Sequence, residues 1–411
     1  MSDDRLAIWL YGIRVAVVER ERRRMRLRYT PEALESFPGG TPLLSVTVPL
    51  SDRSFPNGVV GTLLDGVLPE GQMRLTIAAE LGLRADDSFG LARELGRDCA
   101  GALVIAPDTA PAPPPALTSS AEPLTDDELA RLLANLREAP LGVDDRVRIS
   151  LAGVQEKLLL TRLSDGGWGR PVDGTPSTHI LKPEIRGYPG TVENEAFCMR
   201  LANRLGLPVA AVTTTAPAGR KLIVVARYDR VVHDDGEVER IHQEDFCQAT
   251  GTPPQRKYEE DGGPSLRKIA ALLASVERGA LITLLGAVTL NVLIGNGDAH
   301  AKNFSLLHGA DDPVVRLAPL YDVLSTMALE ITDGTGAQLH ADTHMGQHVG
   351  GQAGTRGNLR RPHQRGHELG HPPPGRHSHR DRDDRPGNHR QRSHRRRRAG
   401  TRSDPRPGQA P

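Results

Sequence analysis

Leu281 to Ile294 is a nearly continuous apolar run of 14 residues, and the polar stretch Gly297-Asp298-Ala299-His300-Ala301-Lys302-Asn303-Phe304 follows it almost at once. The run is too short to span a bilayer and suits a buried helix. A buried helix gives the loop behind it a rigid base, which positioned chemistry needs. The loop sets Asp298 five residues before Asn303, and a second carboxylate, Asp322, ends the apolar run Leu317-Ala318-Pro319-Leu320-Tyr321.

Kinase catalytic loops use this spacing: one Asp accepts the proton of the attacking hydroxyl, while an Asn and a later Asp hold magnesium. Asp and Asn oxygens suit that hard cation. The same residue types also cap local turns, so the argument rests on further pieces in kinase order. His179-Ile180-Leu181-Lys182-Pro183-Glu184 predicts a strand carrying Lys182, placed to grip phosphates. Glu193 and Glu195 open an amphipathic helix whose apolar positions 197, 201 and 205 recur every four residues, with 198 and 202 beside them. Gly206 suits its C-terminal end. One glutamate orients Lys182 in this reading, and the other only favours the helix N-terminus. Upstream, Ala152 and Gly153 sit between two apolar runs, as in a turn covering phosphates or a plain hairpin.

At this point the residues resemble a known family. S-L-A-G-V-Q-E-K (150–157), T-H-I-L-K-P-E (178–184), E-N-E-A-F-C (193–198), H-Q-E-D-F-C-Q (242–248), K-Y-E-E-D-G-G-P (257–264), G-D-A-H-A-K-N-F-S (297–305) and L-Y-D-V (320–323) are similar to the HipA kinase toxins of bacterial type II toxin–antitoxin modules. Tyr29-Thr30-Pro31-Glu32, Leu44 to Leu50, Gly66-Val67-Leu68-Pro69-Glu70 and Glu94 to Ala102 resemble that family's amino-terminal subdomain. The likeness runs from about residue 5 to about residue 350.

The resemblance implies an α+β, two-lobed, PI3/4-kinase-like fold and an ATP- and magnesium-dependent serine/threonine protein kinase. Asp298 would be the catalytic base, Lys182 the phosphate-gripping lysine, and Asn303 and Asp322 the magnesium ligands. Ala152, Gly153, Val154, Gln155, Glu156 and Lys157 would line the phosphate site, with Glu195 beside Lys182. Ala226, Arg227 and Tyr228 would form the hinge against adenine. His300, Lys302, Asn303 and Tyr321 would complete the nucleotide pocket. Ser150 matches a serine that such kinases phosphorylate on themselves to switch off. The implied partners are a HipB-like helix-turn-helix antitoxin, operator DNA through that antitoxin, and a protein substrate such as an aminoacyl-tRNA synthetase. The rival readings are a small-molecule phosphotransferase and a degraded remnant that only binds antitoxin or DNA.

Composition sets further bounds. A chain of 411 residues can form two to three domains. The start lacks a signal-peptide pattern, no apolar run approaches a membrane span, and Cys99, Cys198 and Cys247 have no metal-ligand spacing. Together these predict a cytoplasmic protein with buried, reduced cysteines and no membrane contact. Strands are expected at Ala7–Tyr11, Leu44–Val48 and Ala102–Ile105, and a helix end at Thr76–Gly82. Residues 107–124 read as a Pro/Ala-rich linker between an N-terminal subdomain (1–106) and a catalytic domain (125–350). Thr125 and Glu128 predict a capping box. Residues 148–232 read as β-rich with one helix, and 244–310 as helical.

From Gly351 to Pro411 the pattern collapses. There are 16 Arg, no Lys and five acidic residues, a charge of +11 that leaves about −10 on the rest. The only aliphatic residues are Ala353, Leu359, Leu369, Ala399 and Ala410, too few to offset ordering entropy, so 351–411 is expected to be a disordered basic tail. A shifted, GC-rich reading frame near residues 346–352 explains this composition. A genuine nucleic-acid-binding arm through Arg395–Arg398 is the rival. The histidines of this tail are assigned no metal.

Overall fold

The structure, a computed structural model, describes residues 4–348 apart from 114–116, 119–120, 142–148, 154, 173, 310–313, 330, 333–337 and 340–345. Val154 and the tail therefore lie outside the described residues.

Three strands, β1 (Arg5–Leu10), β2 (Ile13–Glu21) and β3 (Arg24–Tyr29), form an antiparallel meander. Tyr11 and Gly12, then Arg22 and Arg23, take positive φ at the two tight turns, the geometry that matches strand twist. Helices α1 (Pro31–Ser36), α2 (Asn57–Val67), α3 (Gly71–Glu80) and α4 (Ser88–Leu95) follow. Strand β4 (Val104–Pro107) closes the sheet against β1, giving the order β3-β2-β1-β4. Alternate residues Leu6, Ile8 and Leu10 are sealed in the core with Leu64 and Phe89. Each such side chain contributes about 1.5–3 kcal/mol.

The expected strand at Leu44–Val48 is not formed. Ser45 and Val48 close a tight turn instead, capped by Glu244: Ser45 Oγ donates to one carboxylate oxygen at 2.6 Å and Val46 N to the other at 2.8 Å. The buried carboxylate takes the donors a sheet partner would have used. Leu44 and Val48 still bury in the N-terminal core, while Val46 turns to the neighbouring one.

The stretch read as a linker contributes β5 (Leu117–Thr118) and β6 (Glu122–Leu124). Helix α5 (Asp126–Ala134) begins with the expected reciprocal cap between Thr125 and Glu128. Then come β7 (Leu158–Arg162), β8 (Trp168–Arg170), β9 (His179–Pro183), α6 (Thr191–Arg204), β10 (Val212–Thr215), β11 (Leu222–Ala226), β12 (Arg230–Val232) and β13 (Glu237–Arg240). A six-stranded sheet of order β10-β11-β9-β7-β8-β6 forms the smaller lobe, with α6 packed on it.

Helix α6 is rotated from its sequence reading. Phe197 and Leu205 are 67% and 62% exposed, whereas Val192, Glu195, Ala196, Met199 and Ala202 are buried. The buried stripe keeps i, i+3, i+4 spacing but centres on a glutamate that an ion pair draws inward.

The larger lobe contains β14 (His242–Asp245), α7 (Phe246–Ala249), α8 (Leu266–Val276), α9 (Leu281–Ile294), β15 (Ser305–His308) and β16 (Val315–Leu317). The segment expected to be wholly helical thus has strands at its ends, paired β14-β15-β16. Helix α9 is buried on one face only, through Leu284, Ala287, Leu290 and Asn291, while Ile282 and Leu293 are 81% and 78% exposed. No described element covers the outer face.

A buried ionic cluster ties the N-terminal unit to the smaller lobe. Asp98, fully buried, accepts from Arg230 at 2.8 Å and from Ser177 Oγ at 2.7 Å. Arg227 and Arg240 lie 3.5 Å from it, and Asp229 joins Arg227 at 2.7 Å. Burial alone would raise the Asp98 carboxyl; Arg230, Arg227 and Arg240 hold it below the usual range. All three cysteines are buried and unpaired, as expected.

Candidate active site

Strand β9 carries Lys182 inward between the lobes, where it is buried. Its ammonium donates to Glu195 Oε1 on α6 and to Asp322 Oδ1, both at 2.8 Å. Glu195 is thus the helix glutamate that meets Lys182; Glu193 pairs with Lys221 at the surface. Burial opposes the ammonium, but Asp322 and then Glu195 outweigh it and raise its proton affinity. Burial drives the Glu195 carboxyl up, while Lys182 holds Asp322 low against the same burial.

Asp322 sits in a bend after β16 with φ +59, not at the strand end the sequence implies. That left-handed conformation is uncommon outside glycine, and Asp is among the residues that tolerate it. It leaves Oδ1 on Lys182 and lets Oδ2 accept from Asn303 Nδ2 at 3.2 Å. Asn303 in turn accepts from His300 N at 2.9 Å, which fixes its amide.

The loop bearing Asp298 leaves α9 through Gly295 in the left-handed conformation, a common helix stop. Gly297 N donates to Thr326 Oγ1 at 2.8 Å and Asp298 N to Asn296 Oδ1 at 3.2 Å. Burial raises the Asp298 carboxyl, opposed by Lys257 and by the hydroxyl of Tyr258, which donates to its Oδ1. A carboxylate raised in this way is better matched to accepting a proton near neutral pH.

Ala152 and Gly153 form a loop, not a hairpin, ahead of β7. Gly153 has φ +113, and a Cβ there would lie 2.5 Å from Lys157 Nζ. The ammonium is the far end of a flexible side chain and can shift, so it is the positive φ that favours glycine here. Lys157 donates to Ala152 O at 2.9 Å; burial, then Lys182, lowers its pKa to about 8. Glu156 turns outward to Arg137 at 3.3 Å, and Gln155 is half-buried. Ser150 is fully buried, its hydroxyl donating to Val67 O at 2.6 Å.

At the hinge, the amides of Ala226 and Arg227 are used by Ala211 O and Thr178 O, each at 2.9 Å. The Arg227 guanidinium belongs to the buried Asp98 cluster and bonds Asp229, Ser177 and Cys99 O. Tyr228 stacks near Tyr321 with ring centroids 5.6 Å apart, and Tyr321 OH donates to Lys302 O at 2.5 Å. The Lys302 ammonium is buried against Asp245 and lies 3.6 Å from Glu70. His300 is buried, its ring held neutral by burial and then by Lys257, and its Nδ1 has no hydrogen-bond partner among the described residues.

The oxygen donors Asn303 and Asp322, two buried ammoniums and an unpartnered His300 nitrogen fit a metal-bound polyphosphate. Among the described residues no cluster of three His, Cys, Asp or Glu could hold a metal by itself, and magnesium commonly takes one or two protein ligands plus phosphate. The sequence reading missed Glu70, Asp245 and Tyr258. All three stood within the motifs Gly66–Glu70, His242–Gln248 and Lys257–Pro264, where composition alone gave them no role.

Comparison with known proteins follows this geometry. The HipA N-terminal domain model matches residues 6–106, and the HipA-like C-terminal domain model matches residues 149–367. Y4mE of Sinorhizobium fredii, named as a kinase, is 45% identical over 291 residues, covering 69% of each chain. The serine/threonine-protein kinase toxin HipA of Shewanella oneidensis is 32% identical over 298 residues, covering 69% of this chain and 66% of that one. The chain therefore spans about two thirds of the length of these relatives. The solved complex of Shewanella oneidensis HipA with HipB and operator DNA matches with a TM-score of 0.66 and 29% identity, over 78% of this chain and 76% of that chain. The two-lobed kinase fold expected from the sequence is the fold observed. Among the described residues no helix is long and apolar enough to cross a membrane.

Proposed function

Because this chain belongs to the HipA family of kinases, we propose that it transfers the γ-phosphoryl group of ATP, with magnesium, to serine or threonine hydroxyls of a protein. The observation that carries this reading is the Lys182 ammonium held between Glu195 and Asp322, with Asn303 on the other oxygen of Asp322.

Bound ATP would supply the transferable phosphoryl and magnesium would neutralise its charge. Asn303 and Asp322 would hold the metal, and Lys182 the phosphates. Glu195 would keep Lys182 in place with Asp322 committed to the metal. Lys157 and the amides of residues 152–157 would cover the phosphates, and the backbone of 226–228 with Tyr321 would bound the adenine site. Arg227 supports this hinge through its side chain. Asp298 accepts the proton of the attacking hydroxyl.

By the same reading, Ser150 is the site of self-phosphorylation. Its hydroxyl is sealed against Val67 O, so the segment must leave that seat before it can accept phosphate. Loss of that contact disturbs the loop over Lys157, which is a physical route to self-inhibition. The protein would act in the cytoplasm as the toxin of a toxin–antitoxin module, restrained by a HipB-like partner that binds operator DNA. The partner proposal is supported by likeness to the HipA–HipB–DNA complex.

The test is mass spectrometry after incubation with ATP and magnesium. Phosphate on Ser150 in the wild type and none in Asp298→Asn is the expected result. Phosphate retained in Asp298→Asn overturns the base assignment. A second reading, a binding remnant without transfer, is favoured by the uncovered face of α9. Thermal unfolding with and without magnesium and ATP separates the two, because a nucleotide that binds the folded state stabilises it.

A further inference from the structure

Tyr258 lies in the 257–264 motif, to which nothing above gives a task. Its hydroxyl donates to Asp298 Oδ1. Its ring stands edge-on to His300, with centroids 5.1 Å apart at 78°. Among the described residues Asp298 Oδ2 accepts no hydrogen bond. One oxygen of the proposed base is thus pinned and the other is left to face an incoming hydroxyl.

The segment carrying Tyr258 is itself held from two sides. Ala301 N, in the catalytic loop, donates to Lys257 O at 3.2 Å. From the other side, Glu259 N donates to Gly346 O at 3.2 Å, and His348 N donates to Glu259 Oε2 at 2.9 Å. Gly346 packs so closely that a Cβ there would lie 2.6 Å from Ala299 O and 3.1 Å from the Tyr258 ring. Residues 346–348 therefore form a strap over both the tyrosine and the loop it touches.

We propose that Tyr258 is a positioning residue for phosphoryl transfer: its hydroxyl fixes the Asp298 carboxylate so that Oδ2 meets the acceptor hydroxyl, and the 346–348 strap holds Tyr258 in place through Glu259. The inference rests on the reading of Asp298 as base. A misaligned base slows the chemical step without weakening nucleotide binding, since the Tyr258 hydroxyl donates to Asp298 and Tyr258→Phe keeps the ring against His300. The charged and titratable groups acting on Asp298 are Lys257, Tyr258, Asp322 and Glu70. Tyr258→Phe removes one oxygen and leaves the ring against His300.

The experiment compares full-length wild type and Tyr258→Phe in kcat, KM for ATP, and the ¹³C resonance of the Asp298 carboxylate, assigned by its loss in Asp298→Asn. The expected result is kcat lowered roughly tenfold or more, KM for ATP unchanged, and the Asp298 resonance shifted. An unshifted resonance, an unchanged kcat, or a loss confined to KM overturns the proposal. A wild type that transfers no phosphate sinks the kinase reading instead, while the resonance still reports whether the contact exists. Should Tyr258→Phe fail to fold, Glu259→Ala loosens the strap with Tyr258 intact. It should lower kcat and shift the same resonance in the same direction, and an unmoved resonance there counts equally against the proposal.

Discussion

The Lys182 ammonium stands 2.8 Å from both Glu195 Oε1 and Asp322 Oδ1, so one cation joins a helix of the smaller lobe to a loop of the larger. The two carboxylates are not equivalent. Glu195 is buried at 5% side-chain exposure, whereas the Asp322 side chain is 36% exposed. Only the more exposed partner can exchange the ammonium for a ligand without leaving a buried charge unpaired.

Asp322→Asn should therefore separate metal binding from folding. Asn tolerates the left-handed backbone at this position, and Lys182 keeps Glu195 as its counter-ion. Thermal unfolding without nucleotide should stay close to wild type. The stabilisation by ATP with magnesium, about 2.7 kcal/mol at a hundredfold excess over Kd, should disappear. Persistence of that magnesium-dependent gain in the variant removes Asp322 from the metal site.

The pieces that meet around Lys182 were legible because each announces itself locally. An apolar strand ends in Lys182, a helix starts at glutamates, and Asp298 precedes Asn303 at fixed spacing. What sequence could not give was the partner of each polar group across long separations. Glu244 meets Ser45 at a separation of 199 residues, and that contact turned an expected strand into a capped turn. Arg227 was expected at the hinge mostly through its backbone, and nothing local announced the partner of its side chain; Asp98 lies 129 residues away. Helix α6 misled for a related reason: periodicity picked the stripe of 197, 201 and 205, whereas the Lys182–Glu195 pair turns the adjoining stripe inward.

Asp98→Asn should be strongly destabilising. It leaves Arg227, Arg230 and Arg240 around a single remaining carboxylate, Asp229, in a fully buried cluster. Breaking a buried pair by removing one partner costs about 3–5 kcal/mol. Urea unfolding should show a midpoint lowered accordingly, and a change under 1 kcal/mol would mean that water reaches the cluster.

Acid should weaken the fold through His242. Burial first, then the neighbouring His308 ring, lowers the His242 pKa to about 3. The folded value lies below the unfolded one near 6.5, so the contribution is intact above pH 6.5 and lost as pH falls toward 3. Within that window each pH unit costs about 1.4 kcal/mol. His242 Nε2 donates to Leu44 O at 3.0 Å, so His242→Gln, whose amide NH2 also donates, can keep a polar contact there. Urea midpoints measured from pH 7 to pH 5 should fall less steeply in His242→Gln than in the wild type. Equal slopes would show that His242 is reached by solvent.

The outer face of α9 sets solubility. Ile282, Leu285 and Leu293 lie on it at 81%, 67% and 78% exposure, and Phe197 is exposed on α6, which packs against α9. Exposed apolar side chains of this kind promote association. The segment 351–411 carries five aliphatic residues and 16 arginines, so its composition is poorly suited to cover that face. Ile282→Lys combined with Leu293→Lys replaces two side chains that are 81% and 78% exposed. Light scattering should show less association in the double variant than in the wild type, with the unfolding midpoint changed by under about 1 kcal/mol. A large loss of stability would instead mean that this face is packed in solution.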